Sequence, residues 1–350
     1  MNLDIVLSAA YFVSSENSLS IFNAKSALGV IMRTRTLGRT GIRVSEVGFG
    51  AWAIGGTATL GQFQIGWGKV DDSDSTRAIE AAFELGINFY DTADVYGAGH
   101  SEELLAKVFS TRRSLVVIAS KGGNLTDKHG QWQKDFSGEF LSQRVEDSLR
   151  RLKSDYIDLY QLHTPSTGEQ LEQALANAET LDRLVEQGKI RAYGISIGPL
   201  EHGLRQIEAG YGSTIQVVYN ILQREPEKEL LPKAKEAGIG IIPRVPLAYG
   251  FLTGKFTKDS TFGPDDHRSH SVPPEKLRDW VEKTDRLKPI AAELGISMPQ
   301  LALQYILASD AVSVVIPGAK SEQQVKQNAA AGQASVLTDD VISKIREAVA

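Results

Sequence analysis

The stretch NFYDTADVYGAGHSE, residues 88–102, decides how the rest of the chain is interpreted. It begins with apolar and aromatic residues typical of a buried strand and runs directly into Asp91 and then Tyr96. Two glycines follow Tyr96, and they allow a sharp turn that leaves its hydroxyl accessible. Ser101 can cap a helix, whose positive end favours the two glutamates that come next. We therefore expect an acid and a phenol together at one rim of a sheet.

The composition is that of a globular protein with a large core. The chain has 350 residues, 42% hydrophobic and 23% charged, with a net charge of −5, so no overall positive field attracts nucleic acid or anionic lipid. It has no cysteine, which excludes disulfides, thiol nucleophiles and cysteine-ligated metals. No apolar run approaches the roughly 18 residues that span a bilayer. These properties predict a soluble cytoplasmic protein without a membrane or nucleic-acid partner.

The N-terminal residues differ from the rest of the chain. Residues 5–13 are moderately apolar, but no basic residue precedes Lys25, whereas a secretory signal begins with positive charge and a transit peptide is rich in arginine. The repeating pattern of strands and helices begins near Met32. We expect residues 1–32 to be a disordered extension, or the product of a start codon upstream of Met32, and residues 33–350 to form one domain.

A strand–helix unit repeats along that domain. Strand-like runs occur near Val47 and at 88–90, 115–120, 156–162, 190–196, 214–219, 240–245 and 312–316. Amphipathic helical patterns lie between most of them. Several strands are β-branched throughout, as parallel strands covered on both faces are, and eight such units close into an α/β (β/α)8 TIM barrel. An open doubly wound sheet is the rival fold, but no GxGxxG follows the first strand. The interval 252–286 lacks a strand and is expected to be a long functional loop.

Four side chains suited to proton transfer follow three successive strands. Asp91 and Tyr96 follow one strand, Lys121 ends the next, and His163 ends the third. Each alone has a structural explanation, such as a capping acid, a solvated lysine or a core histidine. Active sites of these barrels form at the carboxyl ends of the strands. The four are therefore expected to converge there.

The segments DTADVYGAGHSEELL, VVIASKGG and DYIDLYQLH resemble the catalytic segments of the aldo-keto reductase superfamily. The resemblance extends from about Met32 to the C-terminus. It implies a barrel that reduces a carbonyl with a nicotinamide nucleotide bound without a Rossmann motif. It also places Asp91, Tyr96, Lys121 and His163 on the family's catalytic tetrad.

The chemistry of carbonyl reduction suits these residue types. Hydride addition builds negative charge on oxygen, so a proton donor is needed there. Tyr96 is the expected donor, although a phenol with a pKa of about 10 gives up its proton reluctantly. A charged Lys121 beside it favours the phenolate, and Asp91 would hold Lys121 charged. His163 can donate to the substrate oxygen and fix its angle.

The resemblance also implies a cofactor site. Ser196 and Gln216 match contacts to the carboxamide, and Arg244 replaces an aromatic residue that stacks on the nicotinamide, as a planar guanidinium also can. Lys320 favours NADP, but Gln324 stands where some relatives have arginine, so NAD remains open. The full set of expected cofactor residues is Ser196, Gln216, Arg244, Leu247, Gly250, Gly254, Lys255, Gly318, Lys320, Gln324 and Asn328.

The sequence also predicts a substrate pocket and leaves two alternative functions open. Trp52, Trp67 and Trp132 are expected to wall a pocket for a small-molecule carbonyl substrate, an aldehyde or small ketone. One alternative is a nicotinamide-binding regulatory subunit that senses redox state with little turnover. Another is a lyase that uses Lys121 as a Schiff-base nucleophile. No metal site is expected, and the oligomeric state is left open.

Overall fold

The computed structural model describes residues 31–263 and 266–350. The expected N-terminal extension therefore lies outside the described residues, apart from its last two positions. Seven parallel strands form a curled sheet in the order β13-β12-β11-β10-β7-β6-β3, and three antiparallel hairpins lie outside it. The strands are β1 (Thr34–Thr36), β2 (Arg43–Ser45), β3 (Phe49–Gly50), β4 (Ala58–Leu60), β5 (Phe63–Ile65), β6 (Phe89–Asp91), β7 (Val117–Gly122), β8 (Asn124–Thr126), β9 (Trp132–Lys134), β10 (Ile157–His163), β11 (Ile190–Ser196), β12 (Thr214–Val218) and β13 (Gly240–Arg244).

An irregular eighth segment, residues 311–318, closes the sheet into a barrel. On one side, Gly48 N donates to Val315 O at 2.7 Å and Gly50 N to Pro317 O at 3.0 Å. On the other side, Ser313 N donates to Ile241 O at 2.9 Å. Pairing here is limited to isolated bridges, and Pro317 has no N–H to contribute. The predicted (β/α)8 barrel is confirmed.

The β1–β2 hairpin closes the N-terminal mouth of the barrel. Leu37 and Val44 are fully buried and pack with the inward-facing apolar side chains of the barrel strands. Gly38 has φ +50°, and a Cβ there would lie 2.3 Å from the Gly240 N, so the close approach requires glycine. With that end filled, the opposite end of the barrel remains for a site.

Helices surround the barrel, as the amphipathic patterns between the strands predict. Asp71 caps the first by accepting from two backbone N–H groups, and the apolar face of the third, which includes Leu141 and Val145, is buried. The helices are α1 (Asp72–Glu84), α2 (His100–Phe109), α3 (Gly138–Leu152), α4 (Gly168–Ala176), α5 (Ala178–Glu186), α6 (Leu200–Glu208), α7 (Leu230–Glu236), α8 (Arg268–Ser271), α9 (Pro274–Glu293), α10 (Met298–Leu307), α11 (Glu322–Gln333) and α12 (Asp339–Ala348). Within residues 31–263 and 266–350, none of them has the length and apolar character needed to cross a bilayer.

The long loop expected at 252–286 is partly helical. Helix α9 begins within it, because proline at the first helical position is well tolerated and Leu277, Trp280 and Val281 supply one buried face. The glycine-rich loop after β3 likewise contains the β4–β5 hairpin. The remaining irregular segment after β13 lies over the C-terminal mouth of the barrel.

Candidate active site

A cavity of about 780 Å³ lies at the carboxyl ends of the barrel strands. Asp91 ends β6, Lys121 lies near the end of β7, and His163 ends β10. Neighbouring strands are in register there, with Gln161 opposite Lys121. The structure therefore brings the polar strand-end side chains to one face of the barrel, with Tyr96 above them on the loop that follows β6.

Lys121 lies between the acid and the phenol. Its Nζ donates to Asp91 Oδ2 at 2.6 Å, to the Thr92 carbonyl at 2.8 Å and to the Tyr96 hydroxyl at 3.2 Å. The lysine is fully buried. A buried ammonium with three acceptors, one of them a carboxylate, is held in place and held charged.

The loop that carries Tyr96 is fixed by its own hydrogen bonds. Thr92 Oγ1 donates to Ser101 Oγ at 2.8 Å, and Ser101 Oγ donates to the Ala51 carbonyl at 3.1 Å. Ser101 therefore does not cap α2 as expected; the preceding Gly99 is the capping position and is left-handed. A Cβ on Gly97 would lie 1.9 Å from the Gly55 carbonyl, so glycine is needed where this loop meets its neighbour.

Burial and Lys121 act in opposite directions on Tyr96. Burial raises the pKa of Tyr96, and the positive charge of Lys121 lowers it, but the net direction is upward. For Lys121, burial lowers the pKa, whereas Asp91 and Tyr96 raise it more, and the net direction is again upward. Lys121 thus lowers the pKa of Tyr96 as expected, but by less than burial raises it. Tyr96 keeps its proton, and Lys121 keeps its charge, at neutral pH.

His163 lies beside Tyr96 in the cavity as a neutral ring. The two rings are 5.9 Å apart, edge to face. Burial lowers the pKa of His163 well below its usual value, and the positive charges of Lys121, Lys134 and Arg244 lower it further. Among the described residues, no hydrogen-bond partner reaches its buried Nδ1. A neutral imidazole has one N–H to donate, so this ring can bind an oxygen.

Two glutamines extend the network around Asp91. Gln216 Nε2 donates to Asp91 Oδ1 at 2.8 Å, and Gln161 Nε2 donates to the same oxygen at 3.3 Å. Ser196 Oγ lies 3.4 Å from Gln216 Oε1. Gln161 was not singled out from the sequence, although it lies two residues before His163 and must therefore point to the same face of β10.

Positively charged side chains line the cavity away from the tetrad. Lys320 Nζ donates to the Trp67 carbonyl at 2.6 Å, and its backbone N–H donates to Gln324 Oε1 at 2.8 Å. Ser321 caps α11, whose N-terminus opens beside them, and such ends attract anions. The expected cofactor residues that line the cavity are Ser196, Gln216, Arg244, Leu247, Gly250, Lys255, Gly318, Lys320, Gln324 and Asn328.

Gly254 does not line this cavity. It ends the 3₁₀ segment after β13, has φ 75°, and a Cβ there would lie 3.1 Å from the Lys288 side chain. Three nearby non-glycine residues also have positive φ: Val245 at 55°, Ala248 at 47° and Tyr249 at 54°. Backbone strain of this kind concentrates at functional sites. The sequence gives no sign of it, because none of these three residues is a glycine.

Two of the three expected tryptophans meet at the cavity. Trp52 and Trp67 lie edge to face at 5.1 Å, and Trp52 stacks on Tyr96 at 6.0 Å. Trp132 is placed elsewhere: it is 40% exposed and its indole N–H donates to Asn124 in the β8–β9 hairpin. It packs on Phe63 instead of lining the cavity, because the hairpin turns its side chain to the outer surface.

The cavity fits an extended ligand with an anionic end and a polar flat end. The α11 N-terminus and the side chains of Lys255 and Lys320 lie toward one end, and the Ser196 and Gln216 side chains line the other. A dinucleotide has phosphates and a carboxamide that match these donors. In the part of the chain that the structure describes, no group of three or more potential ligands could hold a metal ion.

Comparison with known proteins identifies the family. Residues 46–350 match the model of the aldo/keto reductase family. The chain is an aldo-keto reductase. It is therefore an oxidoreductase that reduces small carbonyl compounds with a nicotinamide cofactor, and the functional class predicted from the sequence is confirmed.

Relatives and a solved structure agree with this assignment. Aldo-keto reductase YhdN of Bacillus subtilis is 35% identical over 300 residues, 84% of this chain and 87% of the relative. An Escherichia coli NADH-specific methylglyoxal reductase is 32% identical over 312 residues, 86% of this chain and 93% of the relative. The holo form of aldo-keto reductase AKR11C1 from Bacillus halodurans has a TM-score of 0.74 and 31% identity, with 91% of this chain and 97% of that chain covered.

Proposed function

We propose that this aldo-keto reductase reduces aldehydes and small ketones with Tyr96 as the proton donor and NADPH as the preferred reductant. The observation that carries this proposal is the position of Lys121 Nζ, 2.6 Å from Asp91 Oδ2 and 3.2 Å from the Tyr96 hydroxyl. With the ammonium between the carboxylate and the phenol, Lys121 reduces the cost of removing the proton from the buried phenol.

Each of these side chains has a separate task. The substrate carbonyl oxygen accepts from the Tyr96 hydroxyl and from the neutral His163 ring, which together fix its position. When bound, a nicotinamide dinucleotide would supply the hydride for the carbonyl carbon. The Tyr96 proton moves to the oxygen as negative charge develops there, and Lys121 stabilises the phenolate that remains until water returns a proton.

Asp91 acts through Lys121 rather than on the substrate. Its two oxygens accept hydrogen bonds from Lys121, Gln216 and Gln161, so both are occupied by protein donors. This arrangement holds the ammonium charged against the cost of burial. We assign Asp91 as a positioning residue for this reason.

The cofactor preference is proposed from the charges at the α11 end of the cavity. Lys320 lines the cavity, and no carboxylate among the described residues lies within 4 Å of its ammonium. Its charge suits the 2′-phosphate of NADPH. Gln324 beside it is neutral, which limits that preference, and NADH is the expected second reductant. Trp52 and Trp67 supply the apolar wall for an aromatic or apolar aldehyde.

The alternatives are less well supported. A Schiff-base lysine must be a neutral, accessible nucleophile, whereas Lys121 is fully buried and paired with Asp91. Borohydride trapping with an aldehyde should therefore give no adduct on Lys121. A regulatory subunit with little turnover has no need for a buried ammonium in contact with a phenol at the cavity.

A carbonyl panel measured with NADPH and NADH in parallel tests the proposal. We expect oxidation of both cofactors with 4-nitrobenzaldehyde, and a higher kcat/KM with NADPH. Lys320→Gln should reduce that preference about tenfold, the usual size of one phosphate contact. Lys326→Gln is the matched control, because Lys326 is exposed and lies on helix α11, which begins just after Lys320. Activity with NADH alone would overturn the cofactor preference, and activity with neither would overturn the function.

A further inference from the structure

Arg244 places a positive charge at the catalytic end of the cavity. It ends β13, opposite Val218 of β12, and lines the cavity with Tyr96 and Gln216. Its Nη2 donates to the Ile197 carbonyl at 3.1 Å. Among the described residues, its buried Nε has no hydrogen-bond partner, and no carboxylate lies within 4 Å of its guanidinium.

Two other positive charges near the cavity are paired with carboxylates. Lys121 is paired with Asp91, and Arg268 is paired with Asp266. A guanidinium stays protonated even where burial disfavours its charge, and buried charges in proteins are normally paired. The charge of Arg244 lies close enough to Tyr96 and Asp91 to interact with both. It therefore leaves an unbalanced positive field where hydride transfer must take place.

The position of the reaction follows from the proton donor. The substrate carbonyl must touch the Tyr96 hydroxyl, and hydride transfer requires the two carbons at about 3–3.5 Å. A nicotinamide ring that reacts there must occupy the end of the cavity that Arg244 lines. A reduced ring that gave a hydride to the carbonyl carbon, while Tyr96 gave its proton to the oxygen, would change from neutral to a charge of +1.

We propose that Arg244 makes the site bind the reduced dinucleotide more tightly than the oxidised one, and so favours carbonyl reduction over the reverse reaction. This proposal rests on the proposed function. The positive ring and the guanidinium repel each other, and the repulsion is strong in a site of low dielectric constant. The neutral reduced ring is not repelled, and the planar guanidinium can still pack against it.

Binding measurements on variants of Arg244 test this. The dissociation constants of NADPH and NADP⁺ are measured by quenching of tryptophan fluorescence, since Trp52 and Trp67 line the cavity. Arg244→Gln and Arg244→Met remove the charge, and Arg244→Lys keeps it. We expect the ratio of the NADP⁺ to the NADPH dissociation constant to fall about tenfold in the first two, or about 1.4 kcal/mol, and to stay within about twofold in the third. Lys255→Gln is the control, because a contact to a phosphate affects both dinucleotides equally.

Three results would contradict the proposal. Unchanged dissociation constants for both dinucleotides in Arg244→Gln and Arg244→Met would show that the charge has no role. An equal loss of affinity for both dinucleotides would make Arg244 a simple contact. If the unaltered protein binds neither dinucleotide, the proposed function fails as well, whereas the first two results leave that function intact.

Discussion

Replacement of Asp91 by asparagine should show how much the stability of the protein depends on a single buried carboxylate. The substitution keeps the shape of the side chain and removes its charge. Lys121 would then be a fully buried ammonium without a counter-charge, since the described residues offer it only the Thr92 carbonyl and the Tyr96 hydroxyl besides Asp91. Loss of one partner from a buried pair costs about 3–5 kcal/mol.

The amide adds a second, smaller cost. Asp91 Oδ1 accepts from Gln216 at 2.8 Å and from Gln161 at 3.3 Å. An asparagine has only one oxygen, which can accept either from Lys121 or from the glutamines. Its NH₂ group then faces the remaining N–H donors. We therefore expect Asp91→Asn to lose about 3–5 kcal/mol of unfolding free energy at pH 7.

Urea unfolding of a matched set of variants measures this. Asp91→Asn combined with Lys121→Met removes both charges, and we expect the double variant to be more stable than Asp91→Asn alone. In the single variant the pKa of Lys121 should fall below its unfolded value, because Asp91 no longer opposes the effect of burial. The folded state then binds fewer protons than the unfolded state, so the stability of Asp91→Asn should rise between pH 7 and 10. A loss below about 1 kcal/mol, or a double variant that loses the sum of both single effects, would refute this reasoning.

Three further predictions concern other parts of the structure. Because burial lowers the pKa of His163 well below its usual value, kcat/KM for reduction should show no histidine titration between pH 6 and 8, and an inflection near 6.5 would contradict the neutral ring. Burial raises the pKa of Asp94 to about 8, above its unfolded value. The stability of the wild type therefore falls as pH rises toward and through 8. In urea unfolding, Asp94→Asn should be more stable than wild type by a few kcal/mol at pH 9 and equal to it at pH 4. Trp52→Ala should raise the KM for an aromatic aldehyde about tenfold, whereas Trp132→Ala should leave it unchanged, and equal effects would contradict the placement of the two side chains.

The barrel and the convergence of the strand-end side chains could be predicted from sequence because both depend on local patterns. Buried parallel strands are continuous apolar runs, and side chains at the carboxyl ends of these strands lie at the same end of the barrel. The sequence alone is therefore sufficient to bring Asp91, Lys121 and His163 together. The same reasoning could have predicted Gln161, because side chains alternate along β10 and Gln161 therefore points to the same face as His163.

The details that could not be predicted depend on contacts between distant segments. Trp132 lies in a loop whose hairpin conformation is fixed by packing against the β4–β5 hairpin, where Gly61 N donates to Thr126 Oγ1. Ser101 is drawn away from the cap position by Thr92 and Ala51. Helix α9 begins inside the expected loop because a segment without a strand pattern can still carry an apolar helical face.

The central claim is that Tyr96 gives the proton, supported by Lys121. The most direct measurement is the single-turnover rate of NADPH oxidation with 4-nitrobenzaldehyde, for wild type and Tyr96→Phe, after dinucleotide binding has been verified for both. We predict a loss of about 10²–10⁴-fold for Tyr96→Phe with the NADPH dissociation constant unchanged. Equal single-turnover rates in the two proteins would show that the proton comes from another group.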